Sequence, residues 1–154
     1  MKMETKQVIV VRHDLIKGPN AVRRGKMMAQ VAHASVASLL KLFTIQKTET
    51  LAGGLLEPGQ IGYEYNLGFG PGTVLEDWLL GKFTKIVVSV PGEKELLELR
   101  DTLQNNHEYD LCPWALITDC GLTEFSGVPT NTSLGIGPWV SEKLDTLTGN
   151  LPLL

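Results

Sequence analysis

The sequence predicts an α/β fold: a small mixed four-stranded β-sheet flanked by helices in a three-layer α/β/α sandwich. Three observations predict it. Four short apolar runs rich in β-branched residues, bounded by Gly, Pro and polar turn formers, read as strands. Segments of helical period separate the first three of them, which favours parallel pairing with helices packed on the sheet. The last two runs are joined by about a dozen residues with no helical period, so one of that pair runs antiparallel.

The elements follow in order. Residues 7–12 (QVIVVR) form a buried strand, and Pro19 and Asn20 punctuate the loop after it. A helix rich in small apolar residues spans about 22–43. Residues 44–82 hold eight of the sixteen glycines and two prolines, and read as a surface excursion without regular structure. Within it, the run from Thr73 to Leu80 has the makings of a turn or two of helix. Residues 84–90 (TKIVVSV) are the second strand, stopped by Pro91 and Gly92, and 93–105 is a helix with acids in its first turn. Residues 114–118 (WALIT) and 132–136 (TSLGI) are the third and fourth strands. Ser141 is the expected N-cap of a last short helix and Gly149 its stop. The whole chain, 1–154, reads as one domain with a Gly-rich insertion at about 44–82.

Composition narrows the function. A net charge of −3 and a pI of about 5.6 exclude a generally basic nucleic-acid-coating protein. They leave room for the local cluster Arg12, Lys17, Arg23, Arg24 and Lys26. Two cysteines, Cys112 and Cys120, make no disulfide framework and suit a reducing, cytoplasmic setting. No run reaches the roughly 18 apolar residues of a membrane span, and the start of the chain lacks a signal-peptide pattern. His13, His33 and His107 are scattered, the cysteines lack C-x-x-C spacing, and neither G-x-S-x-G nor a phosphate-loop motif occurs. Neither a metal nor a cofactor is expected.

Two segments carry the chemistry. In 17–38, Lys26, Gln30 and His33 fall at i, i+4 and i+7 and so share a helix face. Arg23, Arg24 and Lys26 crowd the start of that helix, where the macrodipole disfavours cations and attracts anions. That pattern fits a phosphate or carboxylate site; simple solvation of the charges fits it too. In 116–138, Asp119 stands at the C-terminal end of a strand, where catalytic groups gather in open α/β sheets, although such an Asp also serves as a turn former. Gly121 permits a sharp turn, with the hydroxyls of Thr123 and Thr132 on its two sides.

Together these strings resemble the archaeal and eukaryotic type, or type 2, of peptidyl-tRNA hydrolase. The resemblance runs through VIVVRHDL (8–15), RGKMMAQVAHAS (24–35), KIVVSV (85–90), ELLEL (95–99), ITDCGLTEF (117–125), TSLGIGPW (132–139) and LDTLTGNLPLL (144–154), in the family's order. It implies hydrolysis of the ester between peptide and tRNA in peptidyl-tRNA, without a cofactor, by a homodimer. It places the family's Lys on Lys26, its Gln on Gln30, its Asp on Asp119 and its two Thr on Thr123 and Thr132. Arginines stand where the family carries further lysines before the helix, and the family's Asp-Ala-Gly is Asp119-Cys120-Gly121 here.

On this reading Asp119 is the base or water orienter. Lys26 is the cation for the oxyanion or for the ribose–phosphate end. Thr123 and Thr132 fix the water or the ester, and Gln30 holds either partner. Arg12, Lys17, Arg23 and Arg24 hold tRNA phosphates. His33 is a structural polar residue. The alternative is a binding module for RNA or protein on the same fold, with weak or no hydrolysis.

Overall fold

The computed structural model of the protein describes residues 3–50, 54 and 56–154. Four strands form the main sheet: β1 (Thr5–Arg12), β4 (Lys85–Val90), β5 (Trp114–Asp119) and β6 (Thr130–Val140), in the order β4-β1-β6-β5. β1 pairs parallel to β4, while β6 runs antiparallel to both β1 and β5. β6 is therefore the reversed strand, and the C-terminal ends of β1, β4 and β5 share one edge with the start of β6. The outer edge of β4 is partly covered by the C-terminal residues: the amide of Ser89 donates to Pro152 O and that of Leu154 to Val87 O.

Alternation along β1 sends side chains to two cores. Val8 and Val10 pack with Leu96, Leu103, Leu134, Ile136 and Leu144 beneath α3 (Glu93–Asn105) and α4 (Ser141–Thr148). Ile9 and Val11 pack with Leu15, Met27 and Ala34 beneath α1 (Arg24–Leu40). The three layers match the expectation. α1 is shorter than expected because its end tightens: the amides of Lys41, Leu42 and Phe43 bond three residues back instead of four. Ser141 begins α4 without capping it. Its amide donates to Glu4 O instead, tying the helix to the start of β1.

The 44–82 segment departs from the expectation of irregular chain. β2 (Thr44–Thr48) and β3 (Gly62–Asn66) pair antiparallel as a separate two-stranded sheet, and α2 (Val74–Leu79) follows. Ile45, Tyr63 and Tyr65 remain exposed on the hairpin, which explains the weak signal: neither face is buried, so no alternation marks the strands. α2 is anchored. Trp78 is buried against Phe83, its Nε1 donates to Thr84 O at 2.9 Å, and Thr5 Oγ1 donates to Asp77 Oδ2 at 2.7 Å.

α1 lies unusually close to β6. A Cβ on Gly135 would stand 2.1 Å from Ala34 O and 2.7 Å from Ala34 C, so only glycine admits the helix backbone there. Gln7, fully buried on β1, locks the same helix: its Nε2 donates to Ser35 O and Ser38 Oγ at 2.8 Å, and its Oε1 accepts from Ser35 Oγ at 2.6 Å. Gly135→Ala should lower unfolding stability by about 1–3 kcal/mol in urea melts, because α1 must lift from the sheet.

Candidate active site

The C-terminal edge of the sheet brings the two ends of the sequence argument together. Asp119 closes β5, and Lys26 sits in the first turn of α1. Lys26 Nζ donates to Asp119 Oδ2 at 2.5 Å, although 93 positions separate them. The same ammonium reaches Thr123 Oγ1 at 3.3 Å. Both charged side chains are recessed yet reach solvent, at 17% exposure for Lys26 and 12% for Asp119.

A second layer fixes the carboxylate from behind. Gln30 Nε2 donates to Asp119 Oδ2 at 2.9 Å, and Thr132 Oγ1 donates to Gln30 Oε1 at 2.7 Å. Ser133 Oγ donates to the carbonyl of Gln30 at 3.1 Å. Gly121 N–H donates to Asp119 Oδ1 at 2.8 Å. Gly121 has φ +78°, and a Cβ there would lie 2.7 Å from Val128 O, so the turn needs glycine. The Lys26 hydrogen bond is the main cause that holds the Asp119 carboxyl below the ordinary aspartate range. The Gly121 amide, the Lys26 charge and the Gln30 amide act in the same direction, and burial opposes them.

The remaining expected residues divide. Thr123 is exposed beside Lys26, whereas Thr132 is fully buried, with its hydroxyl on Gln30 Oε1 and near Ile117 O. His33 is exposed while Gln30 is buried, so the shared helix face is split between solvent and core. The Arg12 side chain is 11% exposed and committed to the protein. Its guanidinium donates to both Asp14 oxygens, at 3.1 and 2.7 Å, and to Asn131 O at 3.0 Å, with Glu93 at 3.6 Å. The Asp14 hydrogen bond raises its pKa against the effect of burial. Arg12 therefore ties β1 to β6 and is not free for a phosphate. Lys17, Arg23 and Arg24 are exposed.

Glu124 is the residue that sequence reasoning missed. Its Oε1 accepts from Arg23 Nε at 2.6 Å and its Oε2 from the Arg23 backbone N–H at 3.3 Å. The anion expected at the start of α1 is thus supplied from within the chain. A lone acid between Thr123 and Phe125 carries no pattern that could have announced this. Phe125 and Ser126 follow in left-handed conformation, at φ +67° and +52°, and the Phe125 ring lies 5.9 Å from Lys26 Nζ. A cleft of about 600 Å³, lined by Arg12, Leu15, Val22, Arg23, Glu124 and Phe125 among others, opens ahead of the start of α1; Lys26 and Asp119 do not line it. Cys112 is buried, which pushes its thiol up to about 12, and Cys120 is exposed next to Asp119. Among the described residues no group of three His, Cys, Asp or Glu side chains could hold a metal.

A depressed pKa in the folded state makes the Asp119 contribution to stability complete above the unfolded value of about 3.9. That contribution is lost as pH falls through the lower folded value. Carboxyl carbon NMR should show Asp119 titrating below the ordinary range. In Lys26→Met, the main stabiliser of the charged form is gone, so the midpoint should rise. An unmoved midpoint would mean that Lys26 does not hold the carboxylate in solution.

Comparison with known proteins gives the family. A family model described as peptidyl-tRNA hydrolase PTH2 matches residues 5–154. Proteins named peptidyl-tRNA hydrolase resemble the chain over nearly its full length. That of Methanopyrus kandleri is 36% identical over 149 residues, covering 97% of each chain. That of Staphylothermus marinus is 35% identical, covering 98% of this chain and 96% of the relative. That of Sulfurisphaera tokodaii is 36% identical, covering 99% and 100%. Matched by the family model over all but its first four residues and by these relatives over nearly its full length, the chain belongs to the PTH2 family of peptidyl-tRNA hydrolases.

Proposed function

We propose that Lys26 and Asp119 carry the reaction of this hydrolase, the cleavage of the ester between peptide and tRNA. The chain acts on peptidyl-tRNA and releases free tRNA and peptide. The observation that supports the assignment of roles is the ammonium–carboxylate contact at the solvent edge, backed by Gln30, Thr132 and Gly121.

The roles follow from the charges. In the free enzyme the Lys26 ammonium makes Asp119 a weak base, so the carboxylate first orients water. When the ester carbonyl is attacked, negative charge grows on its oxygen and draws Lys26 toward it. Asp119 loses its counter-ion at that moment and becomes a stronger acceptor for the water proton. The water oxygen bonds to the carbonyl carbon, the bond from that carbon to the ribose oxygen breaks, and the proton passes to the departing oxygen. Thr123 lies within reach of Lys26 and holds its amine or the ester. Gln30 and Thr132 are positioning residues. Lys17, Arg23 and Arg24 face solvent around the mouth and suit backbone phosphates.

The oligomer, the setting and the domain plan belong to the same reading. The chain is one domain in which 44–82 is an excursion between α1 and β4. It works as a homodimer in the cytoplasm, where its substrate arises. A groove of about 890 Å³ beside α1, lined by Ile9, Val22, Met27, Met28, Val36 and Leu154, supports the dimer. Among the described residues no helix is long and apolar enough to cross a membrane.

Lys26→Ala should lower peptide release from purified peptidyl-tRNA about 10²-fold, and Asp119→Asn about 10²–10⁴-fold. The double variant should lose far less than the product, since the two act as a unit. Near-full turnover in either single variant would overturn the assignment. Met28→Asp with Val36→Asp should shift the protein to monomer in sedimentation equilibrium; an unchanged dimer would place the contact elsewhere.

A further inference from the structure

The mouth of the site is less basic than its sequence. Arg12 is held by Asp14, Glu93 and Asn131, and Lys26 is engaged with Asp119. Arg23 is held by Glu124, and among the described residues Lys17 and Arg24 form no ion pair. The three held cations differ in how they are held. Arg12 is nearly buried with three partners, so releasing it would break the junction of β1 and β6. Lys26 belongs to the reacting pair. Arg23 is 79% exposed and its guanidinium has a single partner, whereas the Glu124 side chain is only 15% exposed. The arginine can therefore turn outward with little loss of burial. Glu124 keeps the Arg23 backbone N–H as a donor when it does.

We infer that Glu124 sets the affinity of this enzyme for the tRNA backbone: it holds Arg23 in the free protein and yields that arginine to a substrate phosphate. The inference rests on the reading of Arg23 as a phosphate contact. One anion replaces another on the guanidinium, so the exchange is small in either direction, as exposed ion pairs are. Glu124 thereby weakens tRNA binding in general without touching the ester. A hydrolase that releases its tRNA product needs such restraint, because the product keeps every phosphate of the substrate.

The test is binding of deacylated tRNA across a salt series, which requires no hydrolysis. Glu124→Gln should tighten binding about two- to fivefold, the range that exposed ion pairs span. Its salt slope should match the wild type, because Arg23 meets phosphate in both complexes. Arg23→Ala should weaken binding and flatten the slope by about one phosphate contact. In the Arg23→Ala background, Glu124→Gln should give little further gain. Glu124→Ala should repeat the Glu124→Gln result if the amide disturbs the loop. Unchanged affinity in both Glu124 variants overturns the inference. So does an equal gain with and without Arg23, which would mark a general field effect, and so does a wild type that fails to bind tRNA. Peptide release by the wild type is measured separately, so tRNA binding without release would overturn the catalytic reading and leave this one standing.

Discussion

The distance between α1 and β6 governs the rest of the molecule. Gly135 lets the backbone of Ala34 rest on the strand, and Gln7 fixes the helix along its axis with bonds to Ser35 and Ser38. From that placement Gln30 lands beside Thr132, Ser133 and Asp119, and Lys26, one turn earlier, lands over the end of β5. A larger residue at Gly135 would act on the reacting pair through the helix. Close packing near the middle of α1 thus determines where the ammonium of its first turn stands.

The site is an exercise in opposed charges. Sequence reading places five cations around one helix start, which in isolation would repel one another and oppose the helix dipole. The fold answers with Asp14, Glu93, Asp119 and Glu124, drawn from three separate stretches of chain. Neutralisation lets the mouth fold without a bound anion. Among the described residues Lys17 and Arg24 are then the mouth cations outside any ion pair, and Arg23 the most exposed of the paired ones.

Much of this was legible in the residues. The strands at 7–12, 84–90 and 114–118 and the helix at 93–105 are each marked by a burial period or by punctuation, and the structure keeps them with small changes at the ends. The pairing of β6 between β1 and β5 was not legible, since local pattern says nothing of strand order. The β2–β3 hairpin was hidden because both its faces meet water. Helical and strand spacing gave the side on which Lys26, Gln30 and Asp119 lie. It gave no depth, so Thr132 looked like a lining residue and Arg12 like a free cation until the three-dimensional partners were known. The pairing of Glu124 had no signal in the residues, since it depends on a long-range meeting with Arg23.

The donors behind Asp119 have a direction. The Thr132 hydroxyl gives its hydrogen to the Gln30 carbonyl, and the Gln30 amide gives one of its own to the carboxylate. Every bond reaching Asp119 from the protein therefore arrives hydrogen-first, and an amide cannot hand a proton onward through itself. The interior is a closed end for proton traffic. On the proposed roles, a proton taken up by Asp119 leaves on its solvent side, where the side chain is 12% exposed, and the departing ribose oxygen is the natural place for it to go.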